Sequence, residues 1–133
     1  MAYGKIAGMG NIDVADGFTC TNPTVILTLD NVLLFQGRFL YSGSVSSGKP
    51  VLGTIPAFMA PAHFTTVPIV VNGSVSGGYA YIGRIGIETS GEIKYFGSLD
   101  NSILYLEGIC INISSKYYNT GLKNTNQAIT FPY

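Results

Sequence analysis

Few side chains in this sequence suit covalent or acid–base chemistry. The carboxylates that fall close together are Asp13 with Asp16 and Glu88 with Glu92, and Asp100 with Glu107 makes a looser pair. Two carboxyls flanking a glycosidic bond are what saccharide hydrolysis requires. Each of these pairs sits in a turn or on a polar strand face, where a solvated charge already accounts for it. The one histidine, His63, has no partner at a triad spacing and no second histidine with which to hold a metal. Cys20 and Cys110 lie 90 positions apart, which is no metal-finger spacing. They read as two buried thiols acting as small hydrophobes, with a disulfide between them as the alternative. The glycines of Gly8-Met9-Gly10, and Gly83 with Gly86, lead into no helix and so form no phosphate cradle. Nucleophile-elbow, zinc-protease and P-loop patterns are missing. The expectation is a chain that is not an enzyme, with no catalytic residue, no metal and no cofactor.

What remains is recognition by aromatic rings. The chain has 9 Tyr and 7 Phe, with clusters at Tyr95-Phe96, at Tyr117-Tyr118 and at Tyr133. The C–H faces of a sugar stack on such rings, while its hydroxyls need polar partners. Tyr95, Tyr117 and Tyr118 are therefore the candidate stacking residues, with His63, Arg38 and Asp100 as polar partners. Tyr95-Phe96 has a competing reading as core, and Arg38 has one at a subunit seam.

The composition narrows the partners. Seven Lys and Arg balance seven Asp and Glu, and charged residues make up only 11% of the chain. Phosphate backbones need a basic face, and the cations here are scattered, so nucleic acid is not expected. No apolar run is long enough to span a membrane; the longest, Val67–Val71, is strand-sized. Met1 is followed by no apolar leader, which points to assembly in a reducing cytoplasm and to free thiols. A neutral, charge-poor surface favours self-association.

The elements that must position these residues read as strands. Glycine or proline interrupts nearly every helix-length window, while short alternating runs of Val, Ile, Tyr and Phe recur. Thr24–Leu29 puts Val25, Leu27 and Leu29 on one face. After an Asp30-Asn31 turn, Val32–Tyr41 puts Leu33, Phe35, Phe39 and Tyr41 on one face and Leu34, Gln36 and Arg38 on the other. Gly37 within it marks a bulge or a close backbone approach. Further strands are expected at Val51–Pro56, Thr66–Asn72, Tyr79–Glu88 and Ile93–Phe96. Ile103–Ile113 reads as the longest strand, apolar on both faces, and Gln127–Tyr133 as a terminal edge strand. Residues 1–22 read as an arm or tether and residues 23–133 as the folded domain. About eight short strands with turns between them predict an all-β, antiparallel sandwich or jelly roll. A strand apolar on both faces predicts burial against other copies of the chain.

Residues Leu52–Ser114 have a further layout. Thr54-Ile55-Pro56 is followed by an aromatic and Ala60-Pro61, then by a strand ending in Val70-Val71-Asn72-Gly73. Arg84-Ile85-Gly86-Ile87, the turn Ser90-Gly91-Glu92-Ile93 and Ile103–Ile113 complete it, with Val32–Phe39 upstream. The arrangement resembles the C-terminal head domains of phage tail receptor-binding and baseplate tip proteins. Phe58-Met59-Ala60-Pro61 departs from the Gly-Tyr-Arg-Pro usual in such heads. The resemblance implies a trimeric β-sandwich, similar to the TNF/C1q-like fold, on a tail tip or baseplate. It implies attachment of the virion to a host cell-surface polysaccharide, with itself and other tail or baseplate proteins as partners. Loops at the end of the sandwich or clefts between subunits would then carry the binding surface. The alternative is a capsid or baseplate decoration domain that mediates assembly and binds no sugar.

Overall fold

The computed structural model describes residues 6–45, 48–73 and 79–113. They form twelve strands: β1 (Ile6–Asn11), β2 (Asp13–Val14), β3 (Phe18–Thr28), β4 (Val32–Tyr41), β5 (Ser44–Val45), β6 (Val51–Thr54), β7 (Thr65–Asn72), β8 (Ala80–Ile87), β9 (Glu92–Phe96), β10 (Leu99–Asp100), β11 (Ile103–Tyr105) and β12 (Cys110–Asn112). A 3-10 turn, Ala57–Met59, follows Pro56. The all-β antiparallel fold expected from the sequence is the fold observed.

Alternation builds the core. Along β4, Leu33, Phe35 and Phe39 point inward, while Gln36 and Arg38 face solvent. Val25 and Leu27 of β3 pack against them across the hairpin. Gly37 is where the two backbones close up. Its φ is +125°, β3 bulges between Thr21 and Thr24, and a Cβ there would stand 2.8 Å from the Cys20 sulfur. Only glycine takes that conformation without strain.

The main sheet runs β1-β3-β4-β11-β7-β8-β9-β6-β2, with β12 also on β4; β10 and β5 form a separate pair. The strands at its two ends, β1 and β2, are adjacent in the chain and separated only by Ile12. That residue is 2% exposed, and its amide donates to the Pro23 carbonyl at 2.7 Å. One segment thus reaches from one edge of the sheet to the other, and the sheet wraps into a nearly closed barrel or sandwich. The stretch read as an arm is, from Ile6 onward, part of this closure, with Ile12 and Phe18 in the core. Its glycines hid the pattern. Gly8 lies under the Phe58 ring and Gly10 against Pro56, where side chains would not fit.

The long strand expected at Ile103–Ile113 is instead two strands. Both β11 and β12 pair with β4, but five steps from Tyr105 to Cys110 face four steps from Arg38 to Leu34. The extra residue is absorbed by a turn over residues 106–109, closed by the Ile109 amide donating to the Leu106 carbonyl, with Gly108 at φ +84°. An odd insertion inverts the parity of the strand. Leu104 and Leu106 are buried before the turn, and Ile111 and Ile113 after it. The two-sided apolar character was therefore one buried face read through a change of phase. The same inversion turns Cys110 outward. It is exposed and Cys20 is half-buried, so the two thiols are free but not the buried pair expected. Burial pushes the Cys20 thiol above its ordinary value. The proposed terminal strand Gln127–Tyr133 lies outside the described residues.

Candidate functional site

The site begins where β9 stops. Strand β8 pairs with β7 along its whole length, but β9 accompanies it only from Arg84, opposite Phe96, to Ile87. Beyond Phe96 the chain leaves the sheet at Gly97, whose φ is +144°. Among the described residues, no strand pairs with the edge of β8 at residues 80–83 on that side. The space beside it is a groove of ≈ 660 Å³, a size typical of small-molecule sites.

Glycine and tyrosine shape its floor. A Cβ on Gly83 would lie 2.6 Å from the Tyr95 hydroxyl, so the phenol ring occupies the room a side chain would need. Tyr95 is buried, and its hydroxyl is hydrogen-bonded to Tyr81. Burial first, then that hydrogen bond, raises its pKa well above the ordinary tyrosine range. Tyr81 in turn stacks at a tilt on Tyr79, with ring centroids 5.9 Å apart, and Tyr79 is 72% exposed. The Gly73 amide donates to the Tyr79 carbonyl at 2.8 Å and closes this end.

Polar groups line the groove beside the rings. Asp100 is held by its own strand pair: its carboxylate accepts from Ser44 Oγ at 2.8 Å, and its amide donates to Ser102 Oγ at 2.9 Å. Arg84 is exposed and, among the described residues, makes no ion pair. A guanidinium that no described residue pairs suits a ligand rich in oxygen. Phe96, opposite Arg84 in the sheet, carries the Lys49 ammonium 5.5 Å from its ring centroid.

The fold brings together two of the residues singled out from the sequence, Tyr95 and Asp100, both lining the groove. Tyr95 supports the floor through Tyr81 and presents little surface of its own. Arg38 stands elsewhere, paired in a fork with Glu107 at 2.9 and 3.3 Å and set 5.0 Å from the centre of the Tyr105 ring. The Tyr105 hydroxyl accepts from Asn72 Nδ2 at 2.8 Å, which completes a separate cluster. His63 is exposed in the loop before β7, where its carbonyl accepts from Thr65 Oγ1. Tyr117 and Tyr118 lie outside the described residues. Of the carboxylate pairs, Glu88 and Glu92 share the Lys94 ammonium at 3.5 and 3.8 Å. Among the described residues no cluster of three or more His, Cys, Asp or Glu could hold a metal, and no helix is long and apolar enough to cross a membrane.

Three groove residues escaped the sequence reading: Tyr79, Tyr81 and Arg84. The signal was the run Tyr-Ala-Tyr-Ile-Gly-Arg, two tyrosines on one strand face followed by a glycine on the same face. Nothing in it tells that β9 ends early and leaves that face open.

No family model and no curated protein sequence matches the chain. A solved structure does: the head domain of phage bIL170, determined in work on a common fold for the receptor-binding domains of lactococcal phages. The TM-score is 0.56 at 14% identity, over 80% of this chain and 97% of that one. This chain has the fold of a phage receptor-binding head. At that identity the likeness is one of backbone. In this head fold the groove beside β8 is assembled from this chain's own side chains.

Proposed function

We propose that this chain is a phage receptor-binding head domain, carried at the tail tip or baseplate, that attaches the virion to a saccharide on the host cell surface as a homotrimer. The observation that carries the reading is the backbone likeness to the bIL170 head domain over most of both chains. The groove supports the saccharide: the exposed ring of Tyr79, the half-buried ring of Phe96, the Arg84 guanidinium, unpaired among the described residues, and a fixed carboxylate on Asp100 are the polar and stacking groups a sugar needs. The support for self-association is zero net charge with Ile6 and Met9, 53% and 58% exposed, on edge strand β1. Neither lines the groove. Three weak sites on one particle give avidity without any new contact.

The test is adsorption of the fluorescently labelled full chain to a panel of bacterial strains, lactococci first. Binding is expected to survive protease treatment of the cells and to be lost after periodate oxidation of their glycans. Arg84→Ala and Asp100→Ala are each expected to weaken it by about tenfold or more, the scale of a lost charge-assisted hydrogen bond. Protease-sensitive, periodate-resistant adsorption identifies a protein receptor instead. Adsorption to no strain leaves the decoration-domain reading. Light scattering on the same preparation is expected to give three times the 14.1 kDa chain mass; a monomer at micromolar concentration removes the trimer.

A further inference from the structure

The groove does not end at Arg84. A second, open concavity of ≈ 390 Å³ adjoins it, lined by Phe64, Thr66, Arg84 and Phe96. Arg84 and Phe96 line both. The first reaches Tyr81 and Gly83 on one face of β8, and the second lies over Gly86 on the opposite face, where a Cβ would meet the Phe64 and Phe96 rings at 2.6 and 2.7 Å. The surface bends round the strand edge at Arg84, which shares the face of Gly86. Those rings meet edge to face with centroids 6.1 Å apart, and Phe64 is 48% exposed. The two concavities, ≈ 660 and ≈ 390 Å³, together offer more room than one sugar ring fills.

The chemistry changes across this surface. Toward Tyr81 the lining offers the Asp100 carboxylate and tyrosine rings; toward Gly86 it offers two phenylalanine faces and a threonine. Between them stands the guanidinium of Arg84, unpaired among the described residues. We infer that this surface takes an internal stretch of a polysaccharide chain, at least two sugar residues long, with Arg84 at the junction between them. A single terminal sugar would fill only one concavity and leave Phe64 unused. The inference rests on the saccharide reading above and adds to it the length and mode of the ligand.

The test uses fragments released by partial acid hydrolysis from the surface polysaccharide of a strain to which the labelled chain adsorbs, separated by length. Affinity of the full chain for each size class is measured by calorimetry. Fragments of several residues are expected to bind at least about tenfold more tightly than single sugars. Phe64→Ala is expected to cut that ratio to about threefold or less. Phe64→Leu keeps the apolar cover over Gly86 but removes the aromatic face, and is expected to act in the same direction. Equal affinity across the sizes, or a length dependence unaltered in both folded Phe64 variants, overturns the inference and leaves the saccharide reading intact. Fragments of no size binding, together with periodate-resistant adsorption, overturns both.

Discussion

Tyr95 and Gly83 form a matched pair, since the strand residue gives up its side chain so that the tyrosine can lie beneath it. Gly83→Ala sets a methyl 2.6 Å from the phenol oxygen, and Val71 at 3.0 Å blocks retreat on the other side. Overpacking of this kind costs about 1–3 kcal/mol. A lowered melting temperature by calorimetry, together with weaker adsorption, is the expected result, because a displaced Tyr95 also displaces Tyr81. Arg84→Ala should separate the two properties. An exposed side chain with no partner among the described residues contributes little to folding, within about 0.5 kcal/mol, so its melting temperature should match the parent while adsorption falls. The Arg38–Glu107 fork behaves differently from either. The guanidinium hydrogen bond holds the Glu107 carboxyl below its usual range, and Glu107 in turn raises Arg38. A depressed carboxylate contributes stability that is complete above its unfolded pKa and is lost as pH falls through the folded one. Both partners are solvent-exposed, so the effect is small. Thermal melts of Glu107→Gln from neutral to acid pH should differ from the parent only slightly, and only above the acid carboxylate range.

At the scale of elements, the turn over residues 106–109 decides which side chains of the last described strands are inside. At Gly108 a Cβ would have nothing within 4 Å of it, so a substitution there meets only the cost of its φ of +84°. That cost is about 1–2 kcal/mol for an ordinary L-residue. Gly108→Ala should therefore lower stability by that amount in urea titration, and Gly108→Asn by less. A neutral Gly108→Ala would mean that β11 and β12 can run through in a single register. The turn also shows what a sequence pattern can and cannot carry. β4 was legible to the residue at Val32–Tyr41, and so was the hairpin around Gly91, because alternation and turn chemistry there agree. Across residues 106–109 the composition stays apolar while the phase changes, and composition carries no phase. The candidate site was less legible. Tyr95 and Asp100 stand 5 positions apart in the sequence and meet at the groove, yet Arg84 and Tyr81 reach it only because β8 outruns β9. Where a strand loses its neighbour is a fact of the sheet, and no local pattern of residues records it.

For the whole molecule, Ile12 is the hinge pin of closure, buried between the two strands that end the sheet. Ile12→Ala removes a fully packed side chain at a cost of about 2–5 kcal/mol. Hydrogen exchange should then show β1 and β2 losing protection together while the β7–β8 amides keep theirs; loss of protection throughout would mean that closure and core are one cooperative unit. The closure also orders events in time. β1 can seat once β3 exists, but β2 pairs with β6, which depends on β9, which in turn depends on β8. Strand β2, made before its partner, is thus locked in place only after Glu92–Phe96 has been made. Until then the nascent chain exposes the edges of β2 and β6 to any other strand nearby, and non-local pairing of this kind is slow. Slowing translation would not shorten that interval. Cooling the culture, or a chaperone that shields strand edges, would protect it.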